Sequence, residues 1–197
     1  MTTRSVRKKS KTYARQRRTK SKTWLYVNIA IAILLIGGGI AVLFWMGEQR
    51  TEKPAPAPSA QIGATAANFQ LPSLSGESVA LSDYRGQVIL VNAWATWCPP
   101  CKAEMPAIHE FYQTHQNDGF VVLAINSQED AATVQRFITA QGFTFPVLLD
   151  IQASVLDQYQ VRGLPTSFII DRDGILRYIH TGAITRQQLE DVIGPLL

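Results

Sequence analysis

The sequence predicts an α/β protein: a mixed central sheet with helices on both faces, preceded by one N-terminal transmembrane helix. Three observations carry this. Residues 24–46 (WLYVNIAIAILLIGGGIAVLFWM) contain no charged side chain. From Val88 onward, short apolar runs alternate with stretches of helical period, the pattern of strands separated by helices. Two strand-type runs near the end flank Arg172-Asp173-Gly174, and an Asp-Gly pair between apolar runs is a hairpin signal.

Charge divides the 197 residues before any element is assigned. The net charge is +4, yet Met1 to Lys22 holds ten of the 19 cations and no acid. Nine cations then face all 15 acids in the remainder, which therefore has the opposite sign. A basic tail (1–23) thus precedes an acidic body, and nothing in that body asks for nucleic acid. A hydrophobic content of 46% excludes a disordered chain. Two cysteines exclude a disulfide-dense scaffold.

The apolar run is long enough to span a bilayer. As helix, 23 residues rise about 35 Å, against a hydrocarbon core of about 30 Å. Trp24 and Tyr26 stand at one end and Trp45 at the other, where aromatic rings favour the interface. A cleaved signal peptide has a shorter apolar region and a small-residue cleavage site; Trp45-Met46-Gly47-Glu48 is not such a site. A buried soluble helix is seldom apolar on every side. The ten preceding cations place the tail in the cytoplasm and the body outside it, in the cell membrane's extracytoplasmic space. The same tail could instead touch RNA or anionic lipid.

Residues 47–66 read as a linker, in which Pro54, Pro56 and Pro58 alternate with small residues and favour an extended spacer. The body, 67–197, reads in order as follows. Short strand signals fall at 68–70 and 78–81, and a strand at 88–94. A helix follows over 100–115, then a strand over 120–126. Residues 131–141 form a helix, with Val134, Phe137 and Ile138 at i, i+3, i+4. A strand at 146–149 precedes a short helix at 155–159. The hairpin strands are 167–171 and 176–180. A closing helix spans 185–193, with Thr185 as its N-cap candidate.

Both cysteines lie where a buried-type strand gives way to a helix: Trp97-Cys98-Pro99-Pro100-Cys101-Lys102. A helix N-terminus exposes unpaired N–H groups and about half a positive charge, which stabilises a thiolate. The thiolate is the nucleophile of disulfide exchange. At the N-cap the Cys98 sulfur is expected to face solvent, and Cys101, one turn on, can close a disulfide with it. Pro99 and Pro100 suit a first turn that needs no N–H. Zinc would need further ligands; there is no second cysteine pair, and His109, His115 and His180 lack ligand spacing. Covalent haem would need a histidine where Lys102 stands. A purely structural disulfide in so small a loop would constrain the unfolded chain little. Redox chemistry is the favoured reading, with a structural disulfide and a metal site as alternatives. No metal or other cofactor is called for.

Residues 91–102 (VNAWATWCPPCK) resemble the thioredoxin active-site segment. Pro106 matches that family's helix-kinking proline, and Gly163-Leu164-Pro165-Thr166 resembles its cis-proline loop. The N-terminal anchor, the NFQL start at 68–71 and the extra strand–helix material at 121–142 make the nearer resemblance the ResA/TlpA type of membrane-anchored thiol–disulfide oxidoreductase. The resemblance implies a thioredoxin-like sheet over 67–197. It implies Cys98 as attacking thiol and Cys101 as resolving thiol, with Trp97, Pro99, Pro100, Leu164, Pro165 and Thr166 forming the substrate-binding rim. Thioredoxins carry a buried aspartate where this chain has Asn92, which cannot take a proton. ResA-type proteins have a glutamate where Glu104 stands, which makes Glu104 the candidate for tuning the thiols or accepting a proton. Pro-Pro between the cysteines, in place of Gly-Pro, leaves the potential open, since related folds span about −120 to −270 mV.

The expected function is therefore a membrane-tethered thiol–disulfide reductase. It would reduce disulfides of extracytoplasmic client proteins, such as apocytochrome c, and receive electrons from a membrane thiol donor. A disulfide-forming oxidase of the same fold is the nearest alternative; a tethered binding or assembly module with a structural disulfide is another. A thiol peroxidase pattern needs Pro and Ser/Thr seven and three residues before the cysteine; Val91 and Ala95 stand there.

Overall fold

The computed structural model describes residues 24–36 and 60–197. The basic tail, the second half of the apolar run and most of the linker lie outside the described residues. Residues 24–36 form a helix, α1, exposed along its whole length. Its one polar amide, Asn28, donates back to the Trp24 carbonyl at 2.8 Å. Among the described residues no helix is long and apolar enough to cross a membrane.

The second unit has folded structure from Ala60, earlier than the expected start at 67. The Gly63 N–H donates to the Leu176 carbonyl and the Ala66 N–H to that of Gly174, so 60–66 run along the body as part of it. The elements are β1 (Gln70–Pro72), β2 (Ser78–Ala80), β3 (Val88–Trp94), α2 (Pro99–His115), β4 (Phe120–Ser127), α3 (Ala131–Gln141), β5 (Val147–Asp150), α4 (Ser154–Gln158), β6 (Thr166–Ile170), β7 (Leu176–Thr181) and α5 (Arg186–Ile193). The main sheet has the order β5-β4-β3-β6-β7. β4 runs parallel to β3 and β5, while β6 runs antiparallel to β3 and β7. β1 and β2 form a separate hairpin.

Two apolar layers follow from strand alternation. In β3, Val88, Leu90 and Trp94 join the α2 stripe Cys101, Met105, Ile108 and Phe111 in one core. Ile89, Val91 and Ala93 join Leu71, Phe168 and Val155 in the other. All of β3 and β4 is buried, as central strands covered on both faces must be. This alternation aims Asn92, at an even position of β3, toward α2.

Helix ends explain the boundaries. Asp130 accepts from the Thr133 N–H at 2.9 Å and starts α3; Gly142, with φ of 71°, ends it. Thr185 and Gln188 form a capping box that starts α5. At the end of the domain opposite the cysteines, Arg172 donates to the carbonyls of Gly86, Asp118 and Leu197. The adjoining turn needs Gly119: its φ is 81°, and a Cβ there would lie 2.8 Å from Arg172 Nη1.

Candidate active site

β3 delivers the chain to the site and α2 carries it away. Cys98 is the N-cap of α2, and Pro99 and Pro100 open the helix. Cys98 and Cys101 form a disulfide with Cα atoms 5.3 Å apart. The Cys101 N–H donates to Cys98 Sγ at 3.3 Å, the contact through which a helix N-terminus stabilises a sulfur anion. Cys98 is only 3% exposed and Cys101 is wholly buried. This corrects the expectation of a solvent-facing Cys98 sulfur: the bond to Cys101 and the cap draw it into the first turn. The exposed surface is instead Trp97, at 65%, with Pro99 and Pro100.

The Leu164–Pro165 peptide bond is cis. β6 starts at Thr166, which pairs with Ala93 at the end of β3, so the proline loop lies at the end of the sheet where β3 releases the cysteine segment. The loop is tied down on three sides. Thr166 Oγ1 donates to the Gly163 carbonyl at 2.8 Å, the Gly182 N–H donates to the Pro165 carbonyl at 2.9 Å, and Pro165 and Thr166 are buried. The Pro165 carbonyl is thus already engaged, and Leu164 beside it is half-buried.

Glu104 is buried within the core rather than lying on the helix surface. Its spacing in α2, with Cys101, Met105, Ile108 and Phe111, puts it on the inward stripe, and it is 2% exposed. Asn92 Nδ2 donates to Oε1 and the Ile184 N–H to Oε2, both at 2.8 Å. Desolvation dominates these two bonds and pushes the carboxyl up to about 7. Glu104 therefore changes protonation near neutrality, one helical turn from Cys101 on the same buried stripe.

Two members of this cluster escaped the sequence reading. Ser167 accepts from Asn92 Nδ2 at 3.0 Å; only the register Asn92↔Ser167 brings them together. The Ile184 N–H comes from the segment between β7 and α5, eighty positions beyond Glu104. The histidines of α2 are held elsewhere. His109 bonds Thr144 and meets the rings of Phe143 and Phe145; His115 pairs with Asp118.

Comparison with known proteins agrees with this geometry. Residues 62–179 match the AhpC/TSA family. Thiol-disulfide oxidoreductase ResA of Geobacillus kaustophilus is 42% identical over 140 residues, which cover 71% of this chain and 78% of that protein. ResA of Bacillus cereus is 32% identical over 163 residues, 83% of this chain and 91% of its own. Among solved structures, a Chlorobium tepidum protein assigned as the thiol:disulfide interchange protein DsbE superposes with a TM-score of 0.66 at 32% identity. That match covers 70% of this chain and 99% of the other. The chain belongs to the AhpC/TSA family of thioredoxin-like proteins and is a thiol–disulfide oxidoreductase of the ResA kind.

Proposed function

We propose that the protein is a membrane-tethered, extracytoplasmic reductase of client-protein disulfides. The observation that carries the mechanism is Glu104, a carboxyl buried one helical turn from the resolving cysteine, where desolvation pushes it up to about 7. In the reduced enzyme the Cys98 thiolate attacks one sulfur of a client disulfide. A Cys98–client bond forms and the other client sulfur leaves as a thiolate. Cys101 gives its proton to ionised Glu104 and attacks Cys98 Sγ. The Cys98–Cys101 disulfide forms and the second client sulfur departs. Two electrons have passed to the client, whose thiolates take up protons. A membrane thiol donor returns the pair to the dithiol.

Trp97, Pro99 and Pro100 offer an exposed apolar rim beside the cysteines, and Leu164 offers backbone groups to an extended client segment. Apocytochrome c is a client of the right chemistry, since its haem-binding cysteines must be reduced. The anchor reading is supported by the uncharged run 24–46, by a helix exposed all round over 24–36 and by the cations that precede it.

The test is to trap clients in cells with Cys101→Ser. Mixed disulfides with exported proteins are expected, and they must vanish in the Cys98→Ser, Cys101→Ser double variant. No adducts, or activity retained by Cys98→Ser, would overturn the enzyme reading in favour of a binding module. A reduction potential near −120 mV, the value of a strong oxidant, would overturn the reducing direction. An enzyme reporter fused after Leu197 that works only in the cytoplasm would overturn the topology.

A further inference from the structure

The segment leading into Cys98 is held by a carboxylate that has no part in the mechanism above. Glu129 lies between β4 and α3, and its Oε2 accepts the Thr96 N–H at 2.7 Å. Its Oε1 accepts the Thr96 hydroxyl in a short bond. Asn126 Nδ2 donates to Oε2 at 2.8 Å. Three donors, two of them from the residue two places before Cys98, thus converge on one side chain. The chain is shaped to deliver it. Gln128, just before Glu129, takes a φ of 59°, a region that non-glycine residues rarely enter. Its N–H is fixed to the Asp150 carbonyl at 3.1 Å. Strain of this kind persists only where the surroundings hold it, and it clusters at functional sites.

We propose that Glu129 is a positioning residue for disulfide exchange: it clasps Thr96, fixes the 96–98 segment, and so favours the Cys98–Cys101 disulfide over the dithiol. The proposal rests on Cys98 and Cys101 being the exchanging pair. Two effects act in the same direction. A fixed segment keeps Cys98 at the N-cap, within closing distance of Cys101, which raises the effective concentration of one sulfur at the other. A nearby negative charge also opposes formation of a thiolate at Cys98 and so disfavours the reduced state.

Glutamine at 129 keeps the size but turns an NH2 toward donors, which breaks the clasp and removes the charge. The test is the dithiol–disulfide equilibrium of the purified full chain against glutathione. Glu129→Gln is expected to shift it about tenfold toward the dithiol, equivalent to about 30 mV. Thr96→Val loses only the hydroxyl bond and is expected to shift it about threefold the same way. Thr96→Ser restores the hydroxyl and returns to the wild-type value. A purely structural role would lower the melting temperature and leave this equilibrium unmoved. Equilibria of Glu129→Gln and Thr96→Val equal to wild type, or shifted toward the disulfide, overturn the proposal; if Glu129→Gln does not fold, Thr96→Val decides alone. Wild type that exchanges normally in either case leaves the Cys98–Cys101 reading standing, whereas exchange by Cys98→Ser would sink that reading itself.

Discussion

The two most deeply buried carboxyl groups among the described residues, Asp150 and Glu104, serve different ends. Asp150, 1% exposed at the end of β5, accepts from the Ser154 N–H and hydroxyl on Oδ1 and from the Val155 and Leu156 N–H groups on Oδ2. It supplies the cap that Ala153, the N-cap of α4 with φ of 56°, has no side chain to give. Glu104, 2% exposed, accepts two bonds, and desolvation outweighs them. Asp150 uses four donors in capping a helix, whereas Glu104 receives two and burial outweighs them.

The largest expected effect comes from breaking the structural member. Asp150→Asn turns an amide toward the N–H groups of α4 and should destabilise the domain by about 2–4 kcal/mol. Denaturant unfolding measures this, and the pH profile of thiol alkylation should stay where it was. A profile displaced as far as that of Glu104→Gln would dissolve the distinction between the two carboxyls.

Glu104→Gln comes next, and its signature is pH dependence. The folded carboxyl is raised from 4.5 to about 7. The folded state thus holds the proton more tightly, and this stabilisation is present in full below about 4.5. It fades as pH rises and is gone above about 7, a change of about 3 kcal/mol. Wild type should lose that much relative to Glu104→Gln between the two ends of the window. Parallel stability curves would contradict the raised carboxyl. Asn92→Leu removes one of the two donors. It should move the Glu104 titration further up, read as a displacement of the alkylation profile in the same direction. Ser167→Ala is the smallest change. It costs about 1 kcal/mol by loosening Asn92 and should leave the profile nearly unmoved.

Elements with strong local signals were legible in the sequence. The apolar run of β3 and the period of α3 gave their bounds directly, and the Asp-Gly turn marked the β6–β7 hairpin. There Asp171 accepts from the N–H groups of Asp173 and Ile175. β1 begins two residues later than its apolar pattern suggests, because the Asn68 side chain leaves the strand to accept from the Ser82 N–H. The cysteine pair and the proline loop were readable because their spacing is local and their resemblance specific. Glu104 could be named as a candidate, yet its setting depends on Ile184, 80 positions away, and on Asn92, which Ser167 holds from 75 positions along the chain. No local pattern encodes that register. Glu129 gave no signal for the same reason: its partner Thr96 lies 33 residues earlier, on another loop.

The central claim is that Glu104 exchanges a proton near neutrality beneath the cysteine pair. Carbon-13 titration of its side-chain carboxyl in the oxidised full-length protein tests this most directly. An inflection at about 7 is the expected result; an inflection in the ordinary carboxylate range, near 4.5, would contradict the account.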